Sequence, residues 1–398
     1  MIKHLLAIAA CCCILGCSND ADETVQGEPF ERGPYAVGST NMQIAAAYAG
    51  IGDDAMHAYL LGRGNDTEQP GFVADILEHP ESAWLIDVTI PDSPEIYGPA
   101  SGMRLPVSVF LTFPSAPSQQ QNPYAFPYHG AMYGVFEDML EPGEAPSFAD
   151  PDVRYPLIVL SHGASAHGIY DVRHAHQLAS HGFVVAVLSY GDDRTAIPDE
   201  LNRHLSYLRP LLTKAVLDEV LASETFGPHI DADAIGITGH SFGGFTALAL
   251  AGGQFEGNPA SVSDPRIKAA VLAAPWVGGR YDGVEVLAFG PENETLNRVG
   301  IPVISLFGSR DTVTTASYIL PAMRQLSGPT YVVELVDQPH VFEQGSWEDR
   351  DNWELLFFSA YLKQDQAALA LLQSASSMRA GNEDRQLFDY QKTGLGMN

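Results

Sequence analysis

The sequence predicts an α/β fold with a mostly parallel central sheet and helices on both faces. From Tyr155 onward, short continuous apolar runs alternate with helix-like stretches. Such runs are typical of parallel strands buried on both sides, and their alternation with helices favours βαβ units in a parallel sheet. Of the 398 residues, 45% are hydrophobic and 18% are charged, so the chain can bury a sizeable core.

The predicted elements follow one another in a regular order. The run YPLIVLSHG from Tyr155 is continuously apolar and ends in a turn, as a buried parallel strand does. DVRHAHQLASHG is helix-like, and Gly182 is expected to stop it because glycine readily adopts the left-handed conformation at a helix end. The other strand signals are PVSVFLTFP, FVVAVLSY, AIGITGHS, KAAVLAAPW, PVISLFGS and YVVELVD, and the other helix signals are 199–223, the run after Ser241, ASYILPAMRQL and the stretch from Asp349.

The charge of the chain restricts its partners. The formal net charge of −28 would repel phosphate groups, so we predict no nucleic-acid partner. We interpret the acidity as a well-solvated surface, with adaptation to a salty medium as the alternative.

The N-terminus predicts export. Lys3 precedes the apolar stretch LLAIAACCCIL, which is too short to span a bilayer as a helix. The stretch ends in Ile14-Leu15-Gly16-Cys17, which resembles a bacterial lipobox. We therefore predict a lipoprotein signal peptide over 1–16, lipidation of Cys17 and a lipid anchor in the bacterial cell envelope, with a plain secretory signal as the alternative.

The residues around this anchor add two expectations. Ser18 follows the lipidated cysteine, which fits export onward to the outer membrane in a Gram-negative source. All four cysteines lie at or before Cys17, so the folded domain is expected to contain no disulfide and no cysteine ligand. The polar, acidic residues 17–34 are expected to form a flexible tether, 35–380 a single domain and 381–398 a loosely ordered tail.

Ser241 is the predicted nucleophile. It lies in GHSFGG between Gly239 and Gly243, with a strand signal before it and a helix signal after it. A G-x-S-x-G motif at a strand-to-helix turn exposes the serine hydroxyl at the top of the sheet. A hydroxyl is a poor nucleophile at neutral pH, so it needs a base that accepts its proton.

The base and the orienting acid are expected to follow this serine in the chain. Of the 13 histidines only His340 lies after Ser241, and it occupies a loop after a predicted strand. Asp311 is the preferred acid because it lies just past the end of strand PVISLF, where it can accept the Nδ1 proton of His340. Asp282 and Glu285 are the second choice.

The oxyanion site needs two backbone N–H groups that point to one place. Phe242, the residue after the nucleophile, is expected to supply one of them. Ala164, after the turn His162-Gly163, is expected to supply the other, and Gly163 lets the backbone pass close to the substrate. We interpret His162 as a structural hydrogen-bonding residue rather than a base. No metal site and no cofactor motif is predicted.

These segments resemble known families. YPLIVLSHGASAHGIYDVRHAHQLASHGFVVAVLSY with GHSFGG resembles plasma-type platelet-activating-factor acetylhydrolases and dienelactone-hydrolase-like proteins, over about 155–250. The second half is similar to bacterial cutinase-like polyester hydrolases. The resemblance implies the α/β-hydrolase fold. The position of Asp311 matches the acid of the dienelactone hydrolases and polyester hydrolases, whereas acetylhydrolases carry theirs where this chain has Ala273, Ala274 and Pro275.

The resemblance implies two further features. Trp276 would form a wall of the substrate cleft, although core packing fits this residue equally well. Compared with the compact polyester hydrolases, the chain carries insertions near 45–95 and 117–152, which would cover the cleft and favour small esters.

We therefore expect a serine carboxylic-ester hydrolase that acts through an acyl-enzyme on small acyl esters, lipids or polyesters. Its predicted partners are the ester substrate and, through the lipid anchor, a membrane. Two alternatives stay open: a peptidase or amidase with the same triad, and a non-catalytic lipoprotein that keeps the fold as a binding surface.

Overall fold

The computed structural model describes most of the chain. The described residues are 25–40, 84–117, 122–128, 131–140, 145–192, 201, 204–255, 262–281, 284–343, 345–378 and 381–388. The expected signal peptide, Cys17 and most of the first insertion lie outside these ranges. Within these ranges, no helix combines the length and the apolar character needed to cross a membrane.

Twelve of the described strands form one sheet. Its order is β16-β14-β13-β10-β9-β7-β8-β4-β2-β6-β5, with β3 paired to β4, while β11 pairs with β12 and β1 with β15. The strands are β1 (Val25–Gly27), β2 (Ala36–Ser39), β3 (Trp84–Thr89), β4 (Arg104–Ser115), β5 (Asn122–Tyr128), β6 (Ala131–Met139), β7 (Tyr155–Ser161), β8 (Val184–Ser189), β9 (Ile230–His240), β10 (Ile267–Ala273), β11 (Gly278–Tyr281), β12 (Val284–Leu287), β13 (Val303–Gly308), β14 (Thr330–Leu335), β15 (Ala375–Met378) and β16 (Asp384–Phe388).

The middle of this sheet is parallel. Strands β8, β7, β9, β10, β13 and β14 run in the same direction, and β4 and β16 flank them antiparallel. The prediction of a mostly parallel central sheet is confirmed. The carboxyl ends of the central strands meet at one edge, which is where ligands bind in sheets of this kind.

Helices cover both faces of the sheet, and each face buries its own apolar cluster. The α-helices are α1 (Pro94–Tyr97), α2 (Val172–Ser180), α3 (Leu205–Ala222), α4 (Phe242–Ala251), α5 (Ala316–Met323), α6 (Ser346–Tyr361) and α7 (Gln366–Ser374), and short 3₁₀ helices occupy Gly98–Ala100, Gly168–Asp171, Gly227–His229 and Pro291–Arg298. In β7, Leu157 and Val159 pack into the cluster that includes α3 and α4. Ile158 and Leu160 pack into the cluster that includes α2 and α6. All four side chains are fully buried, which explains the continuously apolar run.

Two segments that were expected to be loose contain strands. In the expected tether, Val25–Gly27 pairs in parallel with β15, so this expectation is wrong for its second part. In the expected tail, β16 pairs antiparallel with β14, so the ordered domain extends past residue 380. The reason in the tail is a buried carboxylate, since Asp384 accepts hydrogen bonds from Trp353 Nε1 and from the Met378 N–H.

The described parts of the two insertions belong mainly to the sheet. In the first, β3 pairs along β4 from Trp84↔Val109 to Thr89↔Arg104. In the second, β5 and β6 form an antiparallel hairpin, and β6 pairs with β2. The strands β3, β5 and β6 therefore extend one side of the sheet, because β3 pairs with β4 and β6 pairs with β2.

A buried ionic network joins α2 to α6. His174 Nε2 lies 2.5 Å from Glu354 Oε2, and His174 Nδ1 contacts Asp351 Oδ1. Arg173 Nη1 lies 2.5 Å from the other oxygen of Asp351. Burial alone would lower the pKa of His174, but the Glu354 and Asp351 carboxylates outweigh it and raise the pKa to about 9.

We expect the free energy of unfolding to fall by about 2 kcal/mol between pH 6.5 and pH 9. Folded His174 keeps its proton up to about pH 9, whereas the unfolded side chain releases it near 6.5. The folded state therefore binds more protons in this interval, and its stability is lost as the pH rises. Asp349, whose pKa burial raises to about 8, acts in the same direction.

Urea unfolding at pH 6.5 and pH 9 measures this dependence. His174→Gln should have a shallower decline than the wild type, and His181→Gln, a change at the half-buried C-terminal end of α2, should decline like the wild type. A wild-type stability that rises over this interval, or a decline that His174→Gln leaves unchanged, would contradict the assignment.

Candidate active site

Ser241 occupies the tight turn between β9 and α4. Its backbone lies at φ 53°, ψ −115°, a conformation that a residue with a side chain rarely adopts. The flanking glycines make the turn possible. A methyl group on Gly239 would lie 2.4 Å from the Gly243 backbone, and one on Gly243 would lie 1.9 Å from the Ser161 carbonyl oxygen.

Hydrogen bonds from the neighbouring strand hold this strained residue. The Ser241 N–H donates to the Ala273 carbonyl over 2.9 Å, and the Trp276 N–H donates to the Ser241 carbonyl over 2.9 Å. The turn is therefore fixed on both sides of the serine, which keeps its hydroxyl at the carboxyl edge of the sheet.

The structure brings together the three residues that the sequence predicts. His340 Nε2 lies 3.0 Å from Ser241 Oγ. His340 Nδ1 lies 2.8 Å from Asp311 Oδ2. A histidine that donates its Nδ1 proton to Asp311 leaves Nε2 free of a proton, so that it can accept the proton of the serine hydroxyl.

Asp311 lies in the turn after β13, in a dense set of donors. Its Oδ1 accepts from the N–H groups of Val313 and Thr314 over 2.7 and 2.8 Å, and its Oδ2 accepts from Thr314 Oγ1 over 2.7 Å. Burial would raise the pKa of Asp311, but the hydrogen bonds from His340 and Thr314 outweigh it and lower the pKa below the ordinary value. Asp311 is thus an ionised acceptor beside the imidazole.

We expect Asp311→Asn to lower kcat for a short p-nitrophenyl ester by about 10⁴-fold, because an amide N–H facing Nδ1 favours the wrong imidazole tautomer. Glu285→Gln is the matched control, since Glu285 belongs to the hairpin strand β12 and should leave kcat unchanged. Asp282 lies outside the described residues. If Asp311→Asn kept full activity while Asp282→Asn lost it, the acid would be misassigned.

A second histidine, His240, supports the loop that carries His340. Its Nε2 lies 2.8 Å from the His340 carbonyl oxygen, and the two rings are 4.8 Å apart. Burial and the neighbouring His340 lower the pKa of His240 to about 4, so it is a neutral donor to this carbonyl. The sequence analysis did not assign it a role, although its place directly before the nucleophile is a signal.

One of the two predicted oxyanion residues, Ala164, borders the same space as Ser241. Ala164 and Gly163 line the cavity into which Ser241 opens. A methyl group on Gly163 would lie 3.6 Å from Ser241 Cβ and 3.2 Å from His240 Nδ1, which shows how closely this loop passes the nucleophile. Phe242 is the first residue of α4, so its N–H is one of those that a helix leaves without an internal acceptor.

His162 is held by the backbone on both of its ring nitrogens. Its Nδ1 lies 2.7 Å from the Gly163 carbonyl oxygen, and its Nε2 accepts from the Tyr190 N–H over 3.2 Å. Burial, followed by the charge of Arg209, lowers its pKa to about 4. This neutral, fully bonded ring fits the structural role expected for His162.

The cavity at Ser241 has a volume of about 410 Å³. Its lining is His162, Gly163, Ala164, Ala166, His167, Tyr170, Asp171, His240, Ser241, His340, Val341, Phe342, Trp347 and Arg350. The lining includes an ion pair, in which Arg350 Nη1 lies 3.1 Å from Asp171 Oδ1. No described residue of the two insertions lines the cavity, so the expected cover over the cleft is not found in the described part of the chain.

Trp276 does not line this cavity, contrary to the expectation that it forms a substrate wall. Its indole packs over Gly279, where an added methyl group would lie 2.9 Å from the ring, and against the core cluster of α3 and α4. It reaches the site through its backbone N–H on the Ser241 carbonyl. Among the described residues, no group of three or more His, Cys, Asp or Glu side chains is arranged to hold a metal ion.

Comparison with known proteins gives a family and two relatives. The model of a family described as "Alpha/beta hydrolase family" matches residues 158–388. The chain is similar to cutinase est2 of Thermobifida alba, with 31% identity over 150 residues, which cover 36% of this chain and 43% of that protein. It is similar to cutinase est1 of the same organism, with 26% identity over 228 residues, which cover 52% of this chain and 70% of that protein. The match thus spans less than half of the length of est2.

Proposed function

The chain belongs to the alpha/beta hydrolase family, and on this premise we propose that it is a serine carboxylic-ester hydrolase acting on small acyl esters, lipids or polyesters. One observation carries the proposal. Ser241, His340 and Asp311 form a hydrogen-bonded line, with 3.0 Å from hydroxyl to imidazole and 2.8 Å from imidazole to carboxylate. The similarity to two cutinases favours esters as the substrate class.

The reaction begins with attack by Ser241 Oγ on the ester carbonyl carbon. His340 Nε2 takes the hydroxyl proton as the new C–O bond forms, and Asp311 stabilises the resulting imidazolium. The carbonyl oxygen becomes an oxyanion, which the N–H groups of Ala164 and Phe242 stabilise together with the positive end of α4. Collapse of this intermediate breaks the ester C–O bond, and His340 protonates the leaving alcohol.

The second half of the reaction repeats these steps with water. His340, again neutral, takes a proton from a water molecule that attacks the acyl-enzyme carbonyl. The same N–H groups hold the second oxyanion, and collapse releases the acid and restores Ser241. The cavity volume of about 410 Å³ is in the range of small-molecule sites and suits a short acyl or alcohol group.

Turnover of matched substrates tests this proposal. We expect hydrolysis of p-nitrophenyl acetate and butyrate, and far slower hydrolysis of the corresponding p-nitroanilides. Faster cleavage of the anilides or of a peptide panel would favour the peptidase or amidase alternative. A purified, folded protein that hydrolyses none of these substrates would favour the binding lipoprotein.

We also propose that the mature protein is anchored to the bacterial cell envelope by a lipid on Cys17. The support is the order of Lys3, an apolar stretch and Ile14-Leu15-Gly16-Cys17 in the sequence. Incorporation of a labelled fatty acid that Cys17→Ala abolishes is the expected result. Equal labelling of the two proteins, or none, would contradict lipidation at this residue.

A further inference from the structure

Arg209 of α3 forms a fully buried ion pair beside the active site. Its Nη2 and Nε atoms lie 2.6 and 3.1 Å from Asp192 Oδ2, and both side chains are 0% exposed. Asp192 follows strand β8, so the pair joins the carboxyl edge of the sheet to the covering helix. The steps assigned above to Ser241, Asp311 and His340 do not use this pair.

The same guanidinium holds two consecutive carbonyl groups of the oxyanion loop. Arg209 Nη1 donates to the His162 carbonyl over 2.5 Å, and Nη2 donates to the Gly163 carbonyl over 2.8 Å. The Gly163 carbonyl also accepts from His162 Nδ1. The planar fork of an arginine can hold two acceptors in fixed directions, which a lysine cannot do.

The direction of these carbonyls fixes the direction of the N–H groups that follow them. The described peptide bonds are all trans. In a trans peptide the C=O and N–H groups point in opposite directions. Because the Gly163 carbonyl points to Arg209, the Ala164 N–H points away from the buried guanidinium, and Ala164 itself lines the cavity.

Arg209 also contacts the residue expected to supply the second oxyanion donor. Its guanidinium carbon lies 5.2 Å from the centre of the Phe242 ring and 4.7 Å from that of Tyr190. Both distances are within the range of a cation–π contact. A single buried cation therefore touches both segments that form the oxyanion hole.

We propose that Arg209 is a positioning residue that presets the oxyanion hole by holding the Gly163 carbonyl away from the cavity. The inference rests on the proposed ester hydrolase function. A buried ion pair contributes little to stability compared with well-packed apolar residues. The two carbonyl contacts give this pair a separate purpose, since they decide where the Ala164 N–H points before substrate arrives.

Two variants test the proposal. Arg209→Lys keeps the charge opposite Asp192 but loses the fork, and the double variant Arg209→Met, Asp192→Asn removes both charges so that neither is left buried alone. For both, we expect kcat for p-nitrophenyl butyrate to fall about 10²-fold at a KM within about twofold of the wild type. The inhibition constant of a trifluoromethyl ketone, which forms an oxyanion on Ser241, should rise by about the same factor.

The control is Arg266→Lys. Arg266, whose side chain is 29% exposed, makes ion pairs with Asp264 and Asp218, both at 2.6 Å, before the start of β10 and at the opposite edge of the sheet. This variant should keep the wild-type kcat and inhibition constant. All assays are made at a temperature where circular dichroism shows each variant to be folded.

These outcomes distinguish the positioning role of Arg209 from the proposed ester hydrolase function. If the wild type hydrolyses esters and both Arg209 variants match it in kcat and inhibition constant, the positioning role is overturned and the proposed function stands. A fall in kcat without a change in the inhibition constant also overturns it. A wild type that neither hydrolyses esters nor binds the ketone overturns both.

Discussion

Ser241→Ala is expected to lower kcat for p-nitrophenyl butyrate by about 10⁴- to 10⁶-fold and to leave the fold intact. In the proposed mechanism this hydroxyl is the group that forms the acyl-enzyme. The substitution removes one oxygen, whose hydrogen-bond partner is His340 Nε2. The glycines and the main-chain bonds that hold the turn are unchanged, so alanine takes the same backbone conformation.

The measurement is kcat together with the thermal midpoint of the purified variant. Ser374→Ala is the matched control, because Ser374 Oγ bonds the Leu371 carbonyl on α7, away from the cavity. Full activity of Ser241→Ala, with the control also active, would mean that another group attacks the ester. Loss of activity with a collapsed thermal midpoint would show a structural rather than a chemical role.

His340→Ala is expected to cost about as much as Ser241→Ala, and the double variant no more than either, because the two side chains act as one unit. Its neighbour His240 cannot replace it as a base. The pKa of His240 is lowered to about 4, and its Nε2 is committed to the carbonyl of residue 340. A histidine with so low a pKa is too weak a base to accept the proton of a serine hydroxyl efficiently at neutral pH.

Added imidazole gives a direct check on this prediction. His340→Ala leaves a space between Ser241 and Asp311, and free imidazole should restore part of the turnover of His340→Ala but none of that of Ser241→Ala. His181→Ala, at the far end of α2, should behave as the wild type. Activity in His340→Ala that does not depend on imidazole would contradict the assignment of the base.

The central part of the fold could be predicted from the sequence because its strands are continuously apolar. Residues such as Leu157 to Leu160 are apolar on both faces of the strand, and a parallel sheet covered on both sides buries them all. The resemblance to the α/β-hydrolase superfamily is confirmed by the family match over 158–388. The short peripheral strands were harder to predict from the sequence. Val25–Gly27 is a strand of three residues in a polar segment, and its pairing with β15 depends on main-chain hydrogen bonds that periodicity does not reveal.

The triad geometry follows from the sequence for a different reason. The order of the residues in the chain left His340 as the only histidine after Ser241, and the carboxyl ends of parallel strands meet at one edge. Trp276 could not be placed in this way. Its position after β10 fits both a cleft wall and the core, and the choice depends on the β11–β12 hairpin, where Gly279 leaves room for the indole.

The role of Arg209 was not predicted from the sequence, although its position on an apolar helix face is a signal. It lies on α3 between Leu205, Leu208 and Leu212, which are all buried, so an arginine interrupts an apolar face. An arginine at such a position requires a buried acceptor. The acceptors are Asp192 and two backbone carbonyls, and no pattern in the sequence points to carbonyl groups.

The most direct test of the central claim is labelling by a fluorophosphonate, followed by mass spectrometry of the digested protein. A serine that is deprotonated by a neighbouring imidazole and faces two N–H donors attacks the phosphorus centre and displaces fluoride. We expect one adduct per chain, on the peptide that contains Ser241, and none in Ser241→Ala. An adduct on another residue, or a folded wild-type protein that forms none, would contradict the account.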